Sequence, residues 1–238
     1  MKTFIKKQLE RFGVRLNFVK NLWYLDAFSL LEKQCNQANP VVFDVGASDG
    51  SSIKDFKKLF PGSSIYSFEP FPASFGNIEF LSKSYKNVKV FQLALSDNDG
   101  FRDFYLNKSK ATSSLLKPKK TGSFMDEHAV FEKCIQVQTS KLDTFLEENN
   151  IQQIDILKID VQGGELMLFE GAEETLKARK IKIIYTEIWF IEGYEGQPLY
   201  HDIASYLKKF GYSPFGIYNM HYRDDGQFLW GDAIFYYL

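Results

Sequence analysis

From Pro40 onward the chain alternates short apolar runs, rich in β-branched and aromatic residues, with segments of helical period. That alternation restricts the fold more than any other feature, because it is the signature of βα units built around a largely parallel sheet. Strands are expected at Val41 to Val45, Ser64 to Glu69, Val88 to Leu95, Asp155 to Asp160 and Lys182 to Ile188. Helices fall between them, near Ser51 to Phe60, Pro72 to Tyr85, Leu142 to Asn149, Gly164 to Ala178 and Leu199 to Phe210. Two places break the alternation. After the third strand "SDNDG" turns into "FRDFYLN", and a second alternating run, "CIQVQTS", returns before the next helix. An inserted antiparallel pair is expected there, with the basic loop "KSKATSSLLKPKKTGSF" inside it. At the C-terminus "SPFGIYNM" and "FLWGDAIFYYL" flank "RDDGQ", a hairpin turned by Asp225 and Gly226. The sheet should therefore finish with an antiparallel excursion.

A length of 238 residues suits one domain, 40–238, carrying an N-terminal extension, 1–39, that is expected to be helical and packed on it. The first twenty residues hold six Lys or Arg against one Glu, but charge interrupts the apolar positions too often for a signal peptide or a membrane span. Docking on the domain is the preferred reading of this segment, and a basic helix in peripheral contact with an anionic membrane is the alternative. With 29 basic and 30 acidic side chains the net charge is -1, so the whole-molecule field gives no reason to expect a nucleic acid partner. Cys35 and Cys134 stand far apart with no C-x-x-C pairing. This fits a reducing, cytoplasmic location and argues against a disulfide framework or a zinc site.

The first strand runs into "FDVGASDGSS", where Gly46 and Gly50 allow backbone to approach a ligand ahead of a helix N-terminus. Their spacing is G-x-x-x-G, so the G-x-G-x-x-G pyrophosphate fingerprint lacks its middle glycine. Asp44 is negative where a pyrophosphate would not want a charge, whereas a cofactor bearing an amino-acid ammonium tolerates it. The second strand ends in "YSFEP", with Glu69 placed to accept hydrogen bonds from two ribose hydroxyls, and the third in "LALSD", where Leu95 and Ser96 would meet an adenine edge. Three consecutive strand ends thus offer nucleoside contacts on one rim.

The segments "FDVGASDG", "YSFEP", "ALSDNDG", "TSSL", "LDTFL", "ILKIDVQGGELMLFEGA", "IYTEIW" and "FGYSPF" resemble, in that order, those of the FkbM-type S-adenosylmethionine-dependent methyltransferases. The resemblance runs from Val41 to the C-terminus, and "KIDVQGGELMLFEGA" with "YSFEP" is its most specific part. It implies an α/β, Rossmann-like class I methyltransferase fold: a seven-stranded, mostly parallel sheet with an antiparallel last strand and helices on both faces. It also implies an O-methyltransferase acting on a sugar hydroxyl of a glycan, glycoconjugate or nucleotide sugar, with S-adenosylmethionine as cofactor. Carried over by position, the cofactor set is Asp44, Gly46, Ala47, Ser48, Gly50 and Ser52, then Glu69 and Pro70, Leu95 and Ser96, and Asp160 and Val161. Two residues depart from the family pattern. Ser48 stands where an Asn is common, and Gln162 stands where an acid is usual, which removes any role borrowed for that acid.

Methyl transfer to a sugar hydroxyl is an in-line displacement that needs the oxygen positioned and its proton removed. Asp160 and Glu187, at the ends of neighbouring strands, are the candidate bases, since one acid of a close pair has its pKa raised. His201, and behind it His221, are the runners-up. The two acids could instead hold a divalent metal with Asp155, Glu165 or His201, but the spacing does not prescribe one, and the base is preferred. In structural terms Asp160 could cap the next helix, and Glu187 could pair with Lys158 or Lys182. On the acceptor side, Ser113 and Ser114 could hydrogen-bond a sugar, the five lysines from Lys108 to Lys120 could meet an anionic glycan, and Trp189 and Tyr194 could stack on a sugar face. Rival readings are a non-catalytic cofactor-binding module of a glycan-assembly complex, a methyltransferase acting on a non-sugar small molecule, and a nicotinamide-dependent oxidoreductase.

Overall fold

The computed structural model describes residues 25–120, 127 and 129–237. The basic N-terminal segment, with the membrane contact read for it, lies outside these residues. The chain begins with helix α1 (Ala27–Cys35), capped by Asp26, whose carboxylate accepts from Ser29 N at 2.7 Å. The first βα units follow as β1 (Val41–Val45), α2 (Ser51–Leu59), β2 (Ser64–Phe68), α3 (Pro72–Ser82) and β3 (Val88–Phe91). An inserted section comprises β4 (Ala94–Leu95), β5 (Gly100–Asn107), a short 3-10 turn at Lys110–Thr112 and β6 (Phe131–Ser140). The chain then runs through α4 (Leu142–Glu148), β7 (Ile154–Ile159), α5 (Glu165–Glu170), α6 (Glu173–Lys177), β8 (Ile181–Trp189), α7 (Tyr200–Lys208), β9 (Tyr212–Tyr222) and β10 (Phe228–Tyr237).

The main sheet has seven strands in the order β3-β2-β1-β7-β8-β10-β9. All run parallel except β10, which pairs antiparallel with both β8 and β9. This is the expected sheet, with the antiparallel last strand slotted between its neighbours by the hairpin at Arg223 to Gln227, where Gly226 takes φ +89°. The inserted pair also forms: β5 and β6 are antiparallel, and β4 joins them in a separate three-stranded sheet.

Strand alternation sorts the core into two layers. Val42, Ile65, Ile156, Ile183 and Ile234 pack under α1, α2 and α3, against Leu30, Leu31, Ile53, Phe56 and Ile78. Phe43, Phe68, Leu157, Ile184 and Phe235 face the other way, against residues such as Phe145, Leu168, Leu176 and Ile203 of α4 to α7. Helices therefore cover both faces, as a buried parallel sheet requires. Among the described residues no helix is long and apolar enough to cross a membrane.

Two expected elements are divided. The run Val88 to Leu95 is two strands, because the chain leaves the main sheet after Phe91 and Ala94–Leu95 pairs with β6 instead. The helix expected over Gly164 to Ala178 breaks at Gly171 and Ala172. Gly171 is pressed onto the backbone of Ser96, and Asp143 of α4 accepts hydrogen bonds from Glu174 N and Thr175 N at 3.0 and 2.8 Å, capping α6 from outside.

Candidate active site

The C-terminal ends of β1, β2, β4 and β7 line an open cleft. Gly46 and Ser48 line it from the first turn, Glu69 and Pro70 from the second, and Leu93 to Leu95 from the third. Phe104, Lys110, Ala111, Ser113 and Leu115 of the insertion form the facing wall, and Asp160, Val161 and Gln162 close it beyond β7.

The glycine turn does not present a backbone cradle. Gly46 N and Ala47 N both donate to Phe68 O (3.0 and 3.1 Å), Ser48 N to Glu69 Oε2 (2.8 Å), Gly50 N to Ala47 O (2.8 Å) and Ser51 N to Asp49 Oδ1 (2.9 Å). These donors are spent inside the protein, so a pyrophosphate would not find the N–H groups it needs. Gly46 is glycine for a packing reason: at φ +79° a Cβ would lie 1.8 Å from Asp160 O. Gly50, Ala47 and Ser52 likewise shape the turn without lining the cleft.

Glu69 is built as a receiver. Ser48 N and Phe71 N (2.9 Å) fix one oxygen each, leaving each a further lone pair. Burial pushes its pKa above the ordinary carboxylate range, against those two donors. A buried acid with spare acceptor sites, beside an apolar pocket of Leu93, Leu95, Phe104 and Leu115, fits the ribose and base of a nucleoside cofactor. Ser96 does not share in this. Its N–H donates to Ser140 O (2.9 Å) and its hydroxyl to Asp97 (3.1 Å), so it is buried and engaged rather than facing an adenine.

Below the turn lies a charge pair that the sequence reading missed. Asp44 is fully buried, accepts from Ser52 Oγ (2.6 Å) and Ser67 Oγ (3.1 Å), and lies 3.3 Å from Lys158 Nζ. Lys158 also donates to Gly46 O at 3.0 Å. Burial alone would lower the Lys158 pKa, but Asp44 and then Asp160 outweigh it and hold the ammonium above its ordinary value. Asp44 therefore supports the turn from beneath and does not touch the cleft.

Asp160 and Glu187 do converge, through Gln162. Its Nε2 donates to Asp160 Oδ1 (2.8 Å) and to Glu187 Oε2 (3.0 Å). Asp160 lines the cleft with its side chain 43% exposed and Oδ2 3.9 Å from Lys158 Nζ. It caps no helix: α5 starts at Gly164 with no side-chain cap. Glu187 lies within β8 rather than at its end, is buried, and also accepts from Trp189 Nε1 at 2.8 Å. Lys158 and Lys182 are not its partners; Lys182 pairs with Asp155 at the far end of β7. Burial, reinforced by Asp160 and Glu165, raises the Glu187 pKa well above the carboxylate range. Glu165 is also buried: Oε1 accepts from Val161 N and Gly163 N at 3.2 Å, and Oε2 has no hydrogen-bond partner among the described residues. Burial pushes its pKa up to about 7.

His201 does not join these acids. It is exposed on α7, 3.5 Å from Asp202, and His221 is stacked on Trp230. Asp155 is occupied at the other end of its strand, holding Val41 N at 2.9 Å. Among the described residues no group of three or more His, Cys, Asp or Glu is arranged to hold a metal ion.

The acceptor-side expectations are largely corrected. Ser113 lines the cleft, but Ser114 is fully buried and donates to Gln162 O at 2.7 Å. Trp189 is packed between Trp230 and Tyr194, with ring centroids 5.1 and 6.1 Å away. Tyr194 is buried and its hydroxyl proton is shared between Thr112 O (2.8 Å) and Gln162 Oε1 (3.0 Å). An aromatic with its faces packed and its polar tip satisfied has nothing left for a sugar. In the lysine loop, Lys110 pairs with Glu132 and Lys119 with Glu192.

Comparison with known proteins agrees with this geometry. A family model described as the methyltransferase FkbM domain matches residues 44–214. The chain is 32% identical over 191 residues to the 2-O-methyltransferase NoeI of Sinorhizobium fredii, covering 76% of this chain and 75% of that one. It is 27% identical over 178 residues to the 31-O-demethyl-FK506 methyltransferase FkbM of Streptomyces tacrolimicus, covering 66% and 68%. The crystal structure of a methyltransferase FkbM from Methylobacillus flagellatus superposes with a TM-score of 0.55 at 13% identity. That match covers 84% of this chain and 44% of the longer one, and supports the fold.

Proposed function

The chain belongs to the FkbM methyltransferase family, and on that premise we propose that it methylates a sugar hydroxyl of a glycan or nucleotide sugar, with Asp160 as general base. When bound, S-adenosylmethionine supplies an electrophilic methyl group on a sulfonium. The residues of the chain do the rest. Glu69 would receive ribose hydroxyls and the Leu93 to Leu95 segment and Leu115 would enclose the base, with the insertion as the facing wall.

The observation that carries the reading is the unequal pair of acids on one amide. Asp160 is half-open to the cleft, so its carboxylate can reach a hydroxyl proton. Glu187 is buried and its pKa is raised, so of the two acids it is the one that burial drives toward the neutral form. Its Oε2 already accepts two hydrogen bonds, from Gln162 Nε2 and Trp189 Nε1. Glu187 is thus the buried partner, and Asp160, open to the cleft, is the base. An aliphatic hydroxyl is the acceptor type that needs such a base. The names of the two relatives, both of O-methyl chemistry, support that acceptor type, and the family resemblance supports a sugar.

Transfer of a labelled methyl group from S-adenosylmethionine to a panel of glycans, nucleotide sugars and non-sugar hydroxyl compounds tests the proposal. Turnover is expected on a sugar, with Asp160→Asn slowing kcat about 10²- to 10⁴-fold while leaving S-adenosylhomocysteine affinity unchanged. Turnover confined to non-sugar acceptors, or an Asp160→Asn enzyme at full rate, would overturn it.

A further inference from the structure

We propose that Gln162 is a positioning residue that ties the seating of the loop 110–118 over the cleft to the alignment of Asp160 and Glu187. The role rests on the reading of Asp160 as the base. Every polar group of the Gln162 side chain is committed. The two hydrogens of Nε2 go to two different carboxylates, at 2.8 and 3.0 Å, and Oε1 takes a share of the Tyr194 hydroxyl proton at 3.0 Å. An amide so placed holds two acids near each other without letting them touch. An acid at this position would add a third carboxylate.

The other end of the network lies on the loop. Ser114 Oγ donates to the Gln162 carbonyl at 2.7 Å, and the same Tyr194 hydroxyl that orients Oε1 reaches Thr112 O at 2.8 Å. Pro118 forms a bridge with Tyr194, and Lys119 N donates to Gly193 O at 2.9 Å. Lifting the loop would break the Ser114 and Thr112 bonds together, releasing the Gln162 backbone and the Tyr194 hydroxyl from their anchors on the loop, so that the amide and the acids it spans could shift as a unit. A flipped amide would aim its own oxygen at the carboxylates, which is repulsive, so the two acids fix which way the amide faces and the seated loop fixes where it stands. Gln162 keeps this place with φ +58°, a left-handed conformation unusual for a side chain of its kind. Such strain persists where the surroundings over-determine it.

The neighbours define a readout that does not need turnover. Glu187 is faced by Asp160 beyond β7, Glu165 at the start of α5 and Asp232 on β10, while Lys158 faces Asp160. Trp189 Nε1 donates directly to Glu187 Oε2. The indole 1H–15N resonance of Trp189, identified by its loss in Trp189→Phe, therefore reports the ionisation of Glu187 as pH is raised. Three variants of the full chain, each saturated with S-adenosylhomocysteine, are compared with the native protein. Gln162→Asn keeps a residue that tolerates the left-handed backbone but is too short to reach both acids. Gln162→Glu supplies the third carboxylate, and Tyr194→Phe touches neither acid.

The indole midpoint is expected to rise in Gln162→Glu by at least about one pH unit and to move in the other two. On a sugar acceptor, kcat should fall about 10²-fold in Gln162→Glu and about ten-fold in the others, with S-adenosylhomocysteine affinity within about two-fold. An unmoved midpoint in all three variants, or an unmoved kcat, overturns the proposal. Should the native protein methylate no sugar, the functional reading fails on its own, and the indole midpoint still decides the role of Gln162.

Discussion

Asp44 and Lys158 are register partners on β1 and β7, so their pairing is a direct consequence of how the two central strands align. A fully buried carboxylate survives there because an ammonium and two hydroxyls surround it. Removing one member of a buried pair leaves an uncompensated charge and costs about 3–5 kcal/mol. Lys158→Met should lower unfolding stability in urea by that amount, and Asp44→Asn in the same chain should recover most of the loss. Equal stability of the single and double variants would show that the pair carries no such weight. Glu165 gives a pH signature. Its folded pKa is raised to about 7 by burial, so the folded state holds a proton that the unfolded chain releases near its ordinary value. Between those two values the unfolded state binds fewer protons, so the contribution of Glu165 makes stability fall as pH rises and is spent above about 7. Glu165→Gln should flatten that decline and be no less stable than the native protein at alkaline pH, measured as urea midpoints across the range.

At the scale of elements, the break between α5 and α6 matters most to the site. A Cβ on Gly171 would lie 1.9 Å from Ser96 O, a backbone atom that cannot swing aside. Gly171→Ala should destabilise the protein by about 1–3 kcal/mol. It should also weaken S-adenosylhomocysteine binding, because the displaced segment carries Leu95 of the cleft wall; calorimetry reads the second effect. This break was not legible in the sequence, since the helical period runs unbroken through Gly164 to Ala178 and the cause is a contact with a residue far away in the chain. The strands were legible because period and burial coincide in them, and Glu69, Asp160 and the glycine turn were legible because strand ends are where a parallel sheet binds ligands. Asp44 and Lys158 carried a readable signal, a charge inside each of two central apolar strands, which asks for a buried partner. Trp189 and Tyr194 misled: composition shows an aromatic near a rim but not whether its faces are already packed. The Gln162 bridge leaves no local signal in the sequence, because it joins groups from the end of β7, from β8 and from the segment after β8.

For the whole molecule, the cleft is assembled from the ends of β1, β2 and β7 on one side and β4 with the rest of the insertion on the other, so a ligand that fills it ties two separate sheets together. Such a ligand binds the folded state alone and must stabilise it by mass action. At about 100 times its Kd, S-adenosylhomocysteine should add about 2.7 kcal/mol, which for a domain of this size raises Tm by roughly 5–10 °C. NADH at the same concentration should give no shift, because the N–H groups of the first turn are bonded to Phe68, Glu69, Ala47 and Asp49 and leave a pyrophosphate no cradle. Glu69→Gln tests the acceptor role, since its amide offers one oxygen where Ser48 N, Phe71 N and the ribose hydroxyls draw on two. It keeps the size of the side chain but removes the charge that strengthens hydrogen bonds from hydroxyls, a loss of about 1.5–3 kcal/mol and so ten-fold or more in Kd. At the concentration that saturates the native protein, the variant would then stand at about 10 Kd and gain about 1.4 kcal/mol, a shift of roughly 3–6 °C. A full native-sized shift in the variant would mean that Glu69 holds the turn through Ser48 and Phe71 and receives no part of the cofactor.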